Sequence, residues 1–324
     1  MKYIRLILIM LFFANGHAQT KKLLLSERLI SDWSKYPIYP RLIEDVNGSK
    51  EWKDKYKYLD SIDVYVISYL SDGLKINGLL VKPKKAGKYP CIIYNRGGNR
   101  ESGSLKIFHG PITLGKIAKE GYVVIASQYR GNGGSEGLEE FGGKDVNDVT
   151  ILTEVLREVD YADSEKIGMY GWSRGGMMTY IALTKTDRIK AAVVGGAVSD
   201  NFETIKDRPK METKVLAELI PGYKSNKEEE LVKRSAIKWV DKFPKDVPIL
   251  MLHGNADWRV KSEQSLRLAL EFEKHRIPYR LIIFEGGDHI ISEHVNEVDQ
   301  EVVNWFNRYL KNDEPLPNME YHGR

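Results

Sequence analysis

The pattern of hydrophobic and polar positions becomes regular at residue 62. Residues 62–69 alternate between the two kinds, Ser71-Asp72-Gly73 has the composition of a turn, and residues 74–81 are again strand-like. Because a turn this short joins antiparallel strands, this part of the sequence predicts a β-hairpin. The apolar run at 89–95 predicts a third strand, in which the single cysteine, Cys91, is a small buried residue without a disulfide partner.

Beyond residue 95, strand-like and helix-like segments alternate along the chain. Strands are predicted at 122–127, 167–170, 191–195, 248–252 and 279–284, and helices at 112–120, 145–159, 262–275 and 295–310. Repeated strand–helix units build parallel sheets whose crossover helices cover both faces. The predicted fold class is therefore α/β, with a mostly parallel sheet, an N-terminal antiparallel hairpin and helices on both faces.

Two segments depart from this alternation. Residues 20–60 are rich in Lys, Tyr and Trp without a clear period, and we expect them to wrap the core as irregular and helical pieces. Residues 200–245 look helical but are polar and interrupted by Pro209, Pro221 and Gly222, which indicates an insertion. The predicted organisation is an N-terminal extension at 19–60, an α/β domain at 61–312 and a C-terminal tail at 313–324. Within the α/β domain, the helical insertion at about 200–245 is expected to lie over the active site as a cap.

The first 18 residues have the composition of a signal peptide. Lys2 and Arg5 precede an apolar run from Leu6 to Ala14, and Asn15-Gly16-His17-Ala18 places small residues before a cleavage site. The apolar run is too short to span a bilayer as a helix. The sequence therefore predicts export to a periplasm or out of the cell, with no membrane span after cleavage.

Composition narrows the classes of function. The chain has 324 residues, and its 49 basic and 45 acidic residues are interspersed, with a formal net charge of +4. A nucleic-acid-binding protein would carry a basic patch or stripe, so we expect no nucleic-acid partner. The seven histidines are scattered and form no recognisable metal-binding motif, so we expect neither a metal nor an organic cofactor. The oligomeric state has no signature in the sequence.

One motif carries specific chemistry. Gly171-Trp172-Ser173-Arg174-Gly175, followed by Gly176, lies between the apolar run at 167–170 and a helical pattern that begins at Met177. Gly-x-Ser-x-Gly at a strand-to-helix junction is the nucleophile elbow of the α/β-hydrolase fold. The turn holds the serine in a strained conformation and exposes its hydroxyl above the sheet. Ser173 is therefore the predicted nucleophile.

A serine nucleophile needs a base and an orienting carboxylate, and both must come from loops at the carboxyl ends of strands. The strand at 248–252 is followed by Asp257, and the strand at 279–284 is followed by His289. The order Ser173, Asp257, His289 is that of nucleophile, acid and base in α/β-hydrolases. We therefore predict Asp257 as the acid and His289 as the base.

Three nearby residues are alternatives for these roles. His253 also follows a strand, but the adjacent Gly254 favours a structural histidine that holds the acid loop. Asp288 is the alternative acid, although neighbouring side chains on one loop rarely point at each other. His294 lies near the start of the last predicted helix and is interpreted as a surface or capping residue.

The oxyanion that forms during acyl transfer needs two hydrogen-bond donors. The backbone N–H of Arg174, directly after the nucleophile, is the first predicted donor. The second is expected in the loop Asn95-Arg96-Gly97-Gly98, where glycines allow the main chain to approach a substrate. Arg96 and Gly97 are the candidates, and the sequence does not choose between them.

Four motifs together resemble the catalytic domain of prolyl oligopeptidase-type serine peptidases. They are Gly-Trp-Ser-Arg-Gly-Gly at 171–176, Gln-Tyr-Arg-Gly-Asn-Gly-Gly at 128–134, His-Gly-Asn-Ala-Asp at 253–257 and Gly-Asp-His at 287–289. The resemblance covers about residues 60–311. It implies an α/β-hydrolase fold and a serine peptidase in which Ser173, Asp257 and His289 have the roles given above.

The chain departs from this family in two respects. Family members usually carry an N-terminal β-propeller, for which this sequence shows no repeats, and Arg96 occupies the position of a tyrosine that often donates to the oxyanion. A carboxylesterase acting on small or carbohydrate-linked esters therefore remains the alternative to a peptidase, and the substrate is a small peptide or ester. Residues available for an apolar roof over the site are Trp33, Tyr36, Tyr39, Phe202, Leu216, Leu219 and Tyr223.

Overall fold

The computed structural model describes residues 22–323, so the signal peptide predicted at 1–18 lies outside the described residues. The strands are β1 (Leu24–Leu29), β2 (Ile43–Val46), β3 (Ser49–Trp52), β4 (Ile62–Ser71), β5 (Leu74–Pro83), β6 (Tyr89–Asn95), β7 (Val123–Ser127), β8 (Ala162–Trp172), β9 (Ile189–Gly195), β10 (Ile249–Gly254) and β11 (Tyr279–Phe284). The α-helices are α1 (Tyr39–Leu42), α2 (Gly115–Ala118), α3 (Asn147–Thr150), α4 (Leu152–Val155), α5 (Arg174–Leu183), α6 (Asn201–Asp207), α7 (Pro209–Met211), α8 (Ala217–Leu219), α9 (Lys227–Lys233), α10 (Glu263–His275) and α11 (Val295–Phe306). Single π-helical turns at Gly110–Leu114, Glu212–Leu216 and Asn307–Lys311 extend or join these helices.

Nine of the strands form one sheet in the order β1-β4-β5-β7-β6-β8-β9-β10-β11. The pairs from β7 to β11 are parallel, whereas β1, β4 and β5 add to the sheet in antiparallel pairs. This is the mostly parallel α/β-hydrolase sheet that the sequence predicted. In the β4–β5 hairpin, Asp72 and Gly73 both have positive φ, as a tight turn between right-twisted strands requires.

Successive residues of the central strands pack on opposite faces of the sheet. On β6, Cys91 and Ile93 belong to one hydrophobic cluster and Ile92 belongs to the other. The first face is covered by α3, α4, α5 and α10, whose buried residues join the first cluster. The second face is covered by α2 and α11. Helices therefore cover both faces, as predicted.

The N-terminal segment differs from the prediction. Residues 20–60 were expected to be irregular and helical, but β1 pairs with β4 at the edge of the main sheet, and β2 pairs with β3 in a separate two-stranded sheet. Within β1 only Leu24 is buried, because an edge strand has a neighbour on one side only. The hydrophobic pattern that reveals a buried strand is therefore missing here.

The insertion at 200–245 is helical, as expected, and consists of α6 to α9 with short turns between them. The apolar roof that the sequence suggested does not form from the residues named for it. Phe202, Leu216, Leu219 and Tyr223 pack with the first hydrophobic cluster, and Trp33 and Tyr36 pack against the second. The ring of Tyr39 meets that of Trp52 edge to face. These apolar side chains therefore pack within the protein and do not cover the site. No helix within residues 22–323 has the length and apolar character to cross a membrane.

Candidate active site

Ser173 lies at the sharp turn between β8 and α5. Its backbone has φ 58° and ψ −122°, a conformation that an L-residue rarely adopts and that the surrounding structure must impose. Two flanking glycines make the turn possible, because an added Cβ at Gly171 would collide with the carbonyl of Gly175, and one at Gly175 would collide with the carbonyl of Asn95. The local geometry is therefore that of the predicted nucleophile elbow.

The structure brings the three predicted residues of the site together. His289 Nε2 lies 3.0 Å from Ser173 Oγ, and His289 Nδ1 lies 2.7 Å from Asp257 Oδ2. Asp257 follows β10 and His289 follows β11, so both come from the carboxyl edge of the sheet, where the elbow also lies. A hydroxyl, an imidazole and a carboxylate in this order have the geometry for nucleophilic acyl transfer.

The Asp257 side chain is fully buried but well supplied with donors. Its Oδ1 accepts the backbone N–H groups of Arg259 at 2.8 Å and Val260 at 3.0 Å, while Oδ2 faces both His289 and His253. Burial alone would raise the pKa of this carboxyl, but the hydrogen bonds from His253 and His289 outweigh it, and the pKa lies below its ordinary value. Asp257 is therefore ionised and can stabilise a cationic imidazole.

The alternatives weighed from the sequence lie elsewhere. His253 is fully buried, and its ring lies 2.7 Å from Ser265 Oγ, 2.8 Å from the Val260 carbonyl and 3.3 Å from Asp257. It therefore anchors the loop that carries Asp257. The Asp288 carboxylate accepts N–H groups of its own loop, including that of Ser292 at 3.0 Å. His294 Nε2 lies 3.0 Å from the carbonyl of Glu285.

The oxyanion candidates lie around Ser173 in different ways. The N–H of Arg174 is in the first turn of α5, where backbone donors have no intrahelical acceptor. The Gly97 main chain borders Ser173, since a Cβ built there would lie 3.3 Å from Ser173 Cβ. The Arg96 side chain is engaged elsewhere, because its guanidinium donates to the Gln128 carbonyl at 2.6 and 2.9 Å. Arg96 and Gly97 thus remain candidates through their main-chain groups.

The Gln128-Tyr129 part of the second motif holds this loop in place. The Gln128 amide accepts from the N–H of Leu105 at 2.8 Å and donates to its carbonyl at 2.6 Å. The Tyr129 hydroxyl donates to the Arg96 carbonyl at 3.0 Å, and the Arg96 guanidinium lies 4.5 Å from the centre of the Tyr129 ring. Gln128 and Tyr129 therefore position the candidate oxyanion loop.

Sequence reasoning missed the anchors of the Arg174 side chain. This guanidinium is buried, pairs with Glu139 and with Asp145 at 2.5 Å, and donates to the Gly98 carbonyl at 3.0 Å. The two carboxylates lie in a glycine-rich stretch with no catalytic signature. Their effect is to fix the start of α5, and with it the donor next to Ser173.

A cavity of about 800 Å³ extends from Ser173. Its walls come from the loop after β6, from the segments that follow Asp257 and His289, and from residues of α2 and α11. The insertion contributes Thr204, Arg208 and Met211, so it does border the site, although through a more polar set than expected. Cavities of this size hold small molecules or short segments of chain.

Comparison with known proteins places this geometry in a family. The family model of the prolyl oligopeptidase family matches residues 113–313. The uncharacterized peptidase YtmA of Bacillus subtilis is 29% identical over 252 residues, which are 78% of this chain and 94% of that protein. Dipeptidyl-peptidase 5 of Porphyromonas gingivalis is 26% identical over 245 residues, 70% of this chain but 34% of the relative.

The fold is also similar to that of solved peptidase structures. A solved acylaminoacyl peptidase of Pyrococcus horikoshii superposes with a TM-score of 0.68 at 25% identity, covering 85% of this chain and 47% of that one. The chain thus spans less than half of these two larger relatives, and residues 22–323 hold the α/β domain with no β-propeller. The matched residues 113–313 include the elbow and both loops that meet it. The chain therefore belongs to the prolyl oligopeptidase family of serine-type peptidases.

Proposed function

We propose that this protein is an exported serine peptidase that cleaves small peptides through an acyl-enzyme formed on Ser173. The observation that carries the proposal is the hydrogen-bonded series Ser173–His289–Asp257 at the edge of the cavity. Family membership supports peptide substrates over the carboxylic esters that the sequence left as an alternative.

In the first step, His289 Nε2 takes the proton of Ser173 Oγ as the oxygen attacks the scissile carbonyl. The negative charge on the tetrahedral oxygen is stabilised by the N–H of Arg174 and by a donor of the Arg96-Gly97 segment. Asp257 stabilises the imidazolium. His289 then gives its proton to the leaving amine, the C–N bond breaks, and the acyl group remains on Ser173.

In the second step, water replaces the amine. His289 takes a proton from the water as its oxygen attacks the acyl carbon, and the proton passes to Ser173 Oγ when the ester bond breaks. The products are a carboxylic acid and an amine, and the chain's own groups perform every proton transfer. Neither a metal nor an organic cofactor enters these steps.

The size of the cavity supports small substrates. Its walls enclose about 800 Å³, enough for a few amino-acid residues and far too little for a folded domain. The names of two relatives, a dipeptidyl-peptidase and an acylaminoacyl peptidase, agree with substrates that are cleaved near one end of a peptide. We therefore propose short peptides or blocked aminoacyl amides as the substrate class.

Export is proposed from the N-terminal sequence. Positive charge at Lys2 and Arg5, the apolar run that follows and the small residues before Gln19 are the features of a signal peptide. Full-length protein made in a bacterial host should be recovered outside the cytoplasm with Gln19 as its first residue. Recovery of uncleaved protein in the cytoplasm alone would contradict export.

A fluorophosphonate label and matched substrates test the activity. Wild-type protein and Ser225→Ala, an exposed serine of the insertion, should be labelled, whereas Ser173→Ala should be folded and unlabelled. An ester and an amide with the same acyl part should both be hydrolysed, with little cleavage of folded proteins. Ester hydrolysis without any amide cleavage over a broad panel would refute a peptidase, and labelling of Ser173→Ala would remove Ser173 from the mechanism.

A further inference from the structure

The cavity at Ser173 continues along the second face of the sheet. Three aromatic side chains of neighbouring strands form one wall: Tyr94 of β6, and Tyr170 and Trp172 of β8. The Tyr94 and Tyr170 rings meet edge to face with centres 5.5 Å apart, and Tyr170 meets Trp172 in the same way at 6.4 Å. These rings are only partly buried although they lie over the sheet, because the cavity leaves one side of each uncovered.

Aliphatic side chains also line this part of the cavity. Ile112 comes from the helical turn before α2, and Val298 and Val302 are one turn apart on α11. We call this part of the cavity, lined by Tyr94, Ile112, Tyr170, Trp172, Val298 and Val302, the inner lobe. The cavity lining also includes the Lys116 ammonium and the Asp299 carboxylate, which are paired at 2.6 Å. The inner lobe is therefore mostly apolar.

Two polar atoms stand out in the inner lobe. They are the hydroxyl groups of Tyr94 and Tyr170, whose side chains line the cavity. Burial raises the pKa of Tyr94 to about 12 and that of Tyr170 well above its ordinary value, so both hydroxyls keep their protons at neutral pH. A ligand in the lobe would therefore meet apolar walls and two neutral phenolic donors.

The position of the lobe relative to His289 decides which part of a substrate it receives. His289 must protonate the leaving amine, so the leaving group lies on the His289 side of the scissile bond. The Trp172 indole donates to the His289 carbonyl at 2.8 Å, and Ile290 and Val295, which follow His289 in sequence, also line the cavity. The inner lobe thus adjoins the base, whereas Thr204 and Met211 of the insertion border the cavity from the other face of the sheet.

We infer that the inner lobe is a specificity site for the leaving-group side of the substrate, and that it takes a large apolar side chain, aromatic in preference. The inference rests on the proposed peptidase function and names the residue that follows the scissile bond. An aromatic ring of the substrate would pack between Tyr170 and Val298, and the phenolic hydroxyls would donate to its backbone carbonyl or carboxylate.

Peptides with one acyl part and either phenylalanine or glycine after the scissile bond test the inference. The wild-type kcat/KM should favour phenylalanine by about tenfold or more. Ile112→Trp, which fills the lobe, should abolish this preference, and Ile112→Ala, which enlarges it, should shift the preference toward naphthylalanine. Leu270→Trp, the same kind of change on an exposed face of α10, should leave the ratio unaltered. A wild-type ratio near one would overturn the inference.

A binding measurement separates this inference from the activity itself. Calorimetry should show that L-phenylalaninamide binds wild-type protein at least tenfold more tightly than glycinamide, and that Ile112→Trp loses the difference. If the protein hydrolyses no peptide and takes no fluorophosphonate label, the proposed function fails. The affinities of the two amides still decide whether the inner lobe binds a large apolar side chain. Equal affinity for both amides would refute the preference of the inner lobe for an aromatic side chain, even in an active peptidase.

Discussion

Replacing Asp257 by asparagine tests the proposed roles of Asp257 and His289 while keeping the size of the side chain. The Asp257 Oδ1 accepts two backbone N–H groups, so the asparagine oxygen must take that place. The amide NH₂ then faces His289 Nδ1, which the wild-type carboxylate approaches at 2.7 Å. Because an NH₂ group only donates, His289 Nδ1 must become an acceptor, and its proton must move to Nε2.

This change of tautomer removes the base. With a proton on Nε2, His289 donates toward Ser173 Oγ, 3.0 Å away, and cannot take the hydroxyl proton. In a Ser-His-Asp triad, a histidine held in the wrong tautomer lowers kcat by about 10⁴-fold. That corresponds to about 5.5 kcal/mol of transition-state stabilisation. The fold should persist, since both backbone hydrogen bonds to Oδ1 remain.

The assay is kcat on the best peptide substrate, with circular dichroism as the check on folding. Asp288→Asn is the matched control, because its carboxylate bonds to the backbone of its own loop and should change kcat only a few-fold. If Asp257→Asn kept activity within tenfold while Asp288→Asn lost it, the acid would be Asp288 and the reasoning would be wrong.

Asp257→Asn should also change the way in which the free energy of unfolding depends on pH. The pKa of Asp257 in the folded protein lies below its ordinary value of 3.8, so ionisation of this group stabilises the fold above pH 3.8, and the contribution is lost as the pH falls toward the folded pKa. The difference in unfolding free energy between wild type and Asp257→Asn should therefore shrink below pH 3.8. A difference that grew on acidification would contradict the lowered pKa.

Two further changes probe the loop and the core. Gly97→Ala places a Cβ 3.3 Å from Ser173 Cβ and 3.0 Å from a backbone carbonyl, so the oxyanion loop must shift. We expect kcat to fall about 10²-fold with KM less affected, and an unchanged kcat would show that the loop accepts the Cβ without displacing its donors. Arg130→Met leaves the buried Asp148 carboxylate, paired at 2.7 Å, without its partner, and should lower the unfolding free energy by about 3–5 kcal/mol in urea titrations. Arg157→Met, which breaks an exposed pair, should cost less than about 1 kcal/mol, and equal losses for both arginines would refute the argument.

The parts of the site that the sequence predicts are those with local or topological causes. The elbow is readable because steric crowding at Gly171 and Gly175 admits few other residues. The loops of Asp257 and His289 are readable because the carboxyl ends of parallel strands meet at one edge. In both cases the constraint acts within a few residues or follows from the order of the strands.

Other features depend on contacts that no local pattern records. β1 is an edge strand with one buried residue of six, so it lacks the alternation that identified β4 and β5. Arg96 lies in the loop after β6, at the position of a tyrosine that often donates to the oxyanion in the family, which made it a candidate donor. Its guanidinium, however, packs on Tyr129 and bonds to a carbonyl. The inner lobe takes its walls from four segments far apart in sequence, so its existence follows only from their packing.

The two sides of the oxyanion loop are held with very different strength, and this decides which of its contacts can break at little cost. On the inner side, Arg174 is buried with Glu139 and Asp145, and removing one partner of such a cluster costs several kcal/mol, so the elbow is fixed. On the outer side, Arg100 ties the loop to the insertion through Glu218 at 2.6 Å, but both side chains are about half exposed. An exposed pair contributes about 0–1 kcal/mol and weakens in salt. Breaking the Arg100–Glu218 pair therefore costs little, but the insertion stays in place, because Leu216 and Tyr223 are buried in the first hydrophobic cluster. Ser173 and the adjacent N–H of Arg174 keep their geometry in either case.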